Sequence, residues 1–259
     1  MLSRLKKTIK QFLKPDLKFR LTKTPECLQK LGTQYGGWII PINLVNENSI
    51  CYLAGAGEDI SFDVELGTRF HCYVHIFDPT PRAKAHYDEV INSFQQAVMT
   101  TPQGNPGYEY ELDAEAVDCM QFHQIGIWTK NETLGFFAPK DETHVSHSIS
   151  NLQETDNYFE APVRRLPDIM KEQGHTKLDI LKLDIEGAEY EVLDSLLADG
   201  LSTRILCVEF HPSKETGLLP VQQMITKLEQ HNYKVIARED LDFTFINYNL
   251  YQPAAGKAS

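Results

Sequence analysis

Glycine, carboxylate and imidazole side chains fall into four short clusters along this 259-residue chain, and each cluster suits a particular chemistry. The first is Leu53-Ala54-Gly55-Ala56-Gly57-Glu58-Asp59. Glycines at such a junction let the backbone approach a ligand closely, and a helix starting just beyond presents unpaired N–H groups. The second is Asp78-Pro79, 21 residues after Gly57, where an acidic side chain can accept both ribose hydroxyls of an adenosine. Taken singly, each also reads as a plain turn, Gly-Ala-Gly after a strand or Asp-Pro closing one. Taken together they favour an adenosine pocket.

The third cluster, Lys182-Leu183-Asp184-Ile185-Glu186-Gly187-Ala188-Glu189, follows an apolar run. Asp184 projects at the carboxyl edge of the sheet if that run is a strand, while Glu186 and Glu189 suit the positive start of the next helix. Glu189 reads best as an ordinary helix-start residue; the edge position favours a ligand role for Asp184 and Glu186. The fourth cluster is Glu209-Phe210-His211-Pro212. A carboxylate and an imidazole two residues apart point to one side of an extended strand, and either can take a proton from an acceptor hydroxyl. A lone histidine beside a proline, such as His211, is more often a structural loop residue. Asp184, Glu209 and His211 also form an oxygen- and nitrogen-rich set for a divalent cation. Nothing in their spacing demands one, so no metal ligand is assigned.

Two adenosine cofactors fit the first two clusters, a nicotinamide dinucleotide and S-adenosylmethionine. The dinucleotide fingerprint calls for a third glycine three residues after the second, and Ile60 stands there, which leans away from NAD.

The elements that must position these clusters are legible from the apolar periodicity. Residues 49–54, 71–77, part of 116–128, 178–183 and 204–210 read as strands, with helices from about Ile60, from Pro81, from Leu166, after Ala188 and from Pro220. Strands alternating with helices predict a parallel sheet. The last two β runs, 233–237 and 243–248, are joined by a turn too short for a parallel crossover, so they pair antiparallel. The expectation is a doubly wound α/β domain over residues 46–253, preceded by a basic extension over 1–45. Residues 130–158, rich in Ser, Thr, Asn and His, read as a lid-like insertion in which His144 and His147 belong to the lid or are solvated, while Ser146 and Ser148 could reach a bound ligand on closure.

Composition narrows the partners. No apolar run approaches the length of a membrane span, and lysines break every apolar run near the N-terminus, so no signal-peptide core is present. Five scattered cysteines suit free thiols in a cytoplasmic protein. A net charge of −11 argues against a nucleic-acid substrate. Residues 1–20 nevertheless carry +6, with Leu2, Leu5, Ile9 and Leu13 at helical spacing. That arm reads first as a helix packed on the domain, and second as a weak membrane-surface contact.

The motifs resemble those of the FkbM family of S-adenosylmethionine-dependent methyltransferases. The likeness rests on Gly36-Gly37-Trp38, on the stretch from Gly55 to Asp63 that includes Ser61, on Phe77-Asp78-Pro79-Thr80, on the run from Leu181 to Glu189, and on Val208 to His211. It covers roughly residues 35–250, and the Lys-x-Asp-x-Glu-Gly-Ala-Glu block is its most specific part. The resemblance implies a seven-stranded, mostly parallel Rossmann-like sheet and methyl transfer to a hydroxyl of a small metabolite or glycan. It places Gly55, Ala56, Gly57, Ser61, Asp78, Pro79 and Asp184 around the cofactor: the glycines by its methionine part, Asp78 on the ribose, Asp184 beside the sulfonium. The expected catalytic set is His211, Glu209 and Asp184, with either of the first two as base. Two departures stand out: many members carry an acid at the Leu53 position, and glutamate is commoner at the Asp78 position. The rival readings are an NAD-dependent oxidoreductase on the same sheet and a non-catalytic cofactor-binding member.

Overall fold

The computed structural model describes residues 17–24, 26–96, 101, 107–137, 158–213 and 215–251. In chain order the strands and helices are β1 (Leu28–Leu31), β2 (Trp38–Pro41), β3 (Ile50–Ala54), α1 (Ser61–Phe70), β4 (Tyr73–Phe77), α2 (Pro81–Gln95) and α3 (Ala114–Cys119). There follow β5 (Met120–His123), β6 (Gly126–Trp128), β7 (Glu132–Phe137), β8 (Tyr158–Arg165), α4 (Leu166–Glu172), β9 (Leu178–Leu183), α5 (Glu189–Ala198) and β10 (Thr203–Glu209). The described chain closes with α6 (Leu219–Gln230), β11 (Tyr233–Glu239) and β12 (Asp242–Asn247).

The architecture is mixed α/β around a seven-stranded, mostly parallel sheet in the order β11-β12-β10-β9-β3-β4-β5. β12 runs antiparallel to both its neighbours, and the other described pairings are parallel. The chain enters the sheet at β3, moves outward through β4 to β5, then crosses back to β9. Strand order therefore reverses between β3 and β9, which opens a crevice at their carboxyl ends. Side chains alternate between two cores. Cys51, Leu53, Val74, Ile76 and Cys207 join Phe62 and Leu66 of α1 on one face. Tyr52, Leu181, Leu206 and Val208 meet Ile169 of α4, Leu193 of α5 and Ile225 of α6 on the other.

Helix starts follow local chemistry. Thr80 caps α2 by accepting from Ala83 N, with Pro81 in the first turn, where its missing N–H costs nothing. Asp113 caps α3 in the same way. That helix occupies the first part of the 116–128 segment, and the strand expected there begins only at Met120.

Two smaller sheets flank the main one. β1 and β2 form an antiparallel pair within the expected N-terminal extension, and it lies against the sheet's far edge: Thr244 Oγ1 donates to Ile39 O at 2.7 Å, and Lys30 pairs with Glu239 at 2.7 Å. The expected insertion begins and ends in strand, since β7 and β6 both pair with β8 over a small core of Phe136, Ala161 and Val163. Residues 138–157, with the Ser and His residues singled out there, lie outside the described residues, as does the basic arm through residue 16. Among the described residues, no helix is long and apolar enough to cross a membrane.

Candidate active site

A cleft of about 400 Å3 opens at the carboxyl ends of the central strands. Its floor is the turn after β3. Gly55 has φ +83°, and a Cβ built there would fall 1.7 Å from the Asp184 carbonyl oxygen, so no other residue fits. The turn is tied to both neighbouring strands: Gly55 N donates to Phe77 O at 3.0 Å, and Asp184 N donates to Ala54 O at 3.2 Å. Asp78 clamps its outer side. One carboxylate oxygen accepts from Ala56 N (3.0 Å) and Gly57 N (3.1 Å), the other from Thr80 N (2.8 Å) and Thr80 Oγ1 (2.6 Å). Those four bonds use the acceptor capacity of a carboxylate. Asp78 thus organises the glycine turn while lining the cleft with Gly55, Ala56, Gly57 and Pro79.

The structure does not bring Ser61 to the cavity. It is fully buried, and its hydroxyl accepts from Thr33 N at 2.8 Å. That bond helps dock the turn between β1 and β2, which Asp59 secures by accepting from Thr33 Oγ1 at 2.6 Å. A Cβ on Gly36 would fall 2.7 Å from the Asp59 carboxyl carbon. The docked turn supplies Tyr35 and Trp38 as one wall; Ile127 of β6 and Phe136 of β7 form an apolar wall as well.

The end of the cleft beyond Asp184 is crowded with charge. His211 Nδ1 lies 3.0 Å from Oε1 of Glu189, which is fully buried and also accepts from Ile185 N and Gly187 N. Glu189 therefore starts the helix, as its position suggests, and fixes the imidazole besides. The other ring nitrogen faces Glu186 at 3.6 Å, Glu209 at 3.7 Å and Asp184 at 4.0 Å. Burial pulls the His211 pKa down, but the Glu189 bond and the charges of Glu189, Glu186 and Asp184 outweigh it and lift the value to about 10. The ring is an imidazolium at neutral pH. Glu209 is pushed up to about 8 by burial and then by the charges of Asp184 and Asp242; it stands opposite Asp242 in the β10–β12 register. Asp242 itself rises to about 6, from burial and the charge of Asp184.

Asp184, Glu186 and His211 hold donor atoms within 4.8 Å of one another, a spacing that suits a divalent ion. His211 already supplies the positive charge at the centre of that group, so a metal would have to displace its proton first.

Among the described lining residues the carboxylates come from Glu58, Asp59, Asp78, Asp184, Glu186, Glu209, Asp240 and Asp242, against one cation, Lys182. Lys182 and the aromatic walls are site residues the motif reading did not assign. An ionisable residue inside an apolar strand was the visible signal for Lys182; Tyr35, Trp38 and Phe136 reach the cleft through distant pairings that leave no local mark.

A glycine turn at a sheet's switch point, an acid clamping it and an acidic strand edge opposite define a cleft at the carboxyl edge of an α/β sheet, the place where this class of fold takes its ligands. The family model "Methyltransferase FkbM domain" matches residues 50–235, and the chain belongs to that methyltransferase family. It is 27% identical over 195 residues, 72% of each chain, to "31-O-demethyl-FK506 methyltransferase FkbM" of Streptomyces tacrolimicus. It is 26% identical over 165 residues to "Methyltransferase 1" of Beauveria bassiana, covering 56% of this chain and 62% of that protein. No solved structure gives a significant match.

Proposed function

We propose that the chain is an S-adenosylmethionine-dependent O-methyltransferase acting on a hydroxyl of a small metabolite or sugar, built on a doubly wound Rossmann-like sheet. The sign of the cleft carries this reading. A sulfonium and an ammonium give the cofactor two positive charges against one carboxylate, and the lining offers an excess of carboxylates. A dinucleotide would bring a pyrophosphate instead, to a lining whose one described cation, Lys182, is already bonded to Gly55 O. Coulomb repulsion at such short range, with low-dielectric walls, disfavours that ligand. The name of the Streptomyces relative, which refers to an O-demethylated compound, supports oxygen as the acceptor atom.

In this reading Gly55, Ala56 and Gly57 let the backbone approach the methionine part, and Asp184 stands beside the sulfonium. Asp78, lining the cleft beside the glycine turn, would hold the ribose. Ile127 and Phe136 offer apolar surface to the adenine. The cofactor brings an already activated methyl group, so the chain's own contribution is alignment and removal of a proton. Glu209 lines the cleft, whereas His211 is tied back to Glu189 and already carries its proton. The Glu209 carboxyl, raised to about 8, is a stronger base than an ordinary carboxylate, and its ionised form takes the acceptor's hydroxyl proton, while the His211 imidazolium holds Asp184, Glu186 and Glu209 in place. This narrows the base from the pair Glu209 and His211 to Glu209. Incubation with methyl-tritiated S-adenosylmethionine and a panel of hydroxyl metabolites checks it. Label in an alkali-stable ether is expected; label on nitrogen or carbon would contradict the assignment.

A further inference from the structure

Lys182 sits in the middle strand of the sheet with its side chain in the interior, 4% exposed. In register it lies beside Leu53 of β3, which gives it no counter-charge. Its ammonium instead donates to the carbonyl oxygen of Gly55 and lies 3.7 Å from Asp184 Oδ2. From the helix above, Asp63 faces it electrostatically; that carboxyl is 1% exposed, and its Oδ1 has no hydrogen-bond partner. A lone buried ammonium would be expelled or neutralised, and this one lies beside the Asp184 carboxylate, with the buried Asp63 carboxyl acting on it from the helix above. Burial acts to lower its pKa, and the charges of Asp184, Asp63, Glu209 and Asp78 raise it overall.

The glycine turn is thus gripped from two sides. Asp78 holds the N–H groups of Ala56 and Gly57, and Lys182 holds the carbonyl of Gly55. A glycine at φ +83° has many alternative conformations, so a turn built on it stays fixed only while both its donors and its acceptor are engaged. The same ammonium reaches Asp184, on the opposite lip of the crevice.

We propose that Lys182 is a positioning residue that locks the Gly55–Gly57 turn and aims the Asp184 carboxylate. The cofactor consequence rests on the S-adenosylmethionine reading above, while the lock itself does not. Lys182 touches neither reacting atom; it acts through Gly55 and Asp184.

The test uses the full chain as wild type, Lys182→Met and the double variant Lys182→Met/Asp63→Asn, which removes the carboxyl the single change would strand. Hydrogen–deuterium exchange of the peptide spanning residues 53–59 is followed without any ligand. Faster exchange there in both variants is expected, with the double variant regaining the Tm lost by the single one. S-adenosylhomocysteine affinity by calorimetry should fall about tenfold to a hundredfold in both, the range of one charge-assisted hydrogen bond. Affinity that returns together with Tm in the double variant would show a merely structural lysine and overturn the proposal. Unchanged exchange in residues 53–59 would overturn it as well. A wild-type chain that binds no S-adenosylhomocysteine would contradict the cofactor reading, and the exchange measurement would still decide the lock.

Discussion

The two ends of the cleft are built on opposite principles. At the glycine turn every polar partner is matched: Asp78 has four donors, Gly55 is bonded through both its N–H and its C=O, and the buried ammonium faces carboxylates. Around Asp184 and Glu209 like charges are pressed together, with acids at about 8 and about 6 and a histidine at about 10. The first end is a rigid, charge-balanced cradle. The second is a crowded set of acids whose raised pKa values reflect burial and mutual repulsion, the end to which the proposed function assigns the base. The proposed function assigns binding to the satisfied end and chemistry to the crowded one.

The largest expected effect breaks the cradle. Gly55→Ala forces a Cβ into the Asp184 carbonyl at a left-handed φ, and should lower unfolding free energy by about 3 kcal/mol or more in urea titration. A change below about 1 kcal/mol would mean the turn relaxes freely and is no cradle. Next, Glu209→Gln should lower single-turnover methyl transfer by about a hundredfold or more, with cofactor affinity nearly unchanged. Equal loss of affinity would move Glu209 to the binding end.

Smaller effects appear as pH slopes. The folded His211 pKa is raised above its ordinary value of 6.5, so its stabilising contribution is full below 6.5 and is lost as pH rises through about 10. Wild type should therefore lose Tm across that window, and His211→Asn should show a flatter curve there. The Asp63 carboxyl, pushed by burial from 3.8 to about 7, stabilises fully only below 3.8 and loses that contribution as pH rises through 7. Asp63→Asn should flatten the fall in Tm between those values, the smallest of these effects; an unaltered slope would mean the group titrates normally.

The local patterns carried much of this layout. Alternating strands and helices gave away the parallel sheet, and the residues flanking its strand ends supplied Gly55, Asp78, Asp184 and Glu209 at the cleft. Ser61, which only the family resemblance placed by the cofactor, is buried away from the cleft because the chain before β3 folds back to use its hydroxyl. β7 was hidden inside the apparently irregular stretch and β8 went unread just beyond it, since each gains its structure from the other across the intervening chain. His211 and Glu209 were visible as a pair. Their proposed division of roles was not, because it rests on the buried Glu189 and on Asp242 across the sheet, two acids that meet them only in three dimensions.

The most direct measurement is equilibrium dialysis of the purified chain against S-adenosylmethionine and NAD in parallel, at low and high salt. An acidic cleft built for a cationic cofactor predicts saturable binding of S-adenosylmethionine, weakened as salt rises, and no saturable binding of NAD. Saturable NAD binding with none of S-adenosylmethionine would contradict the account.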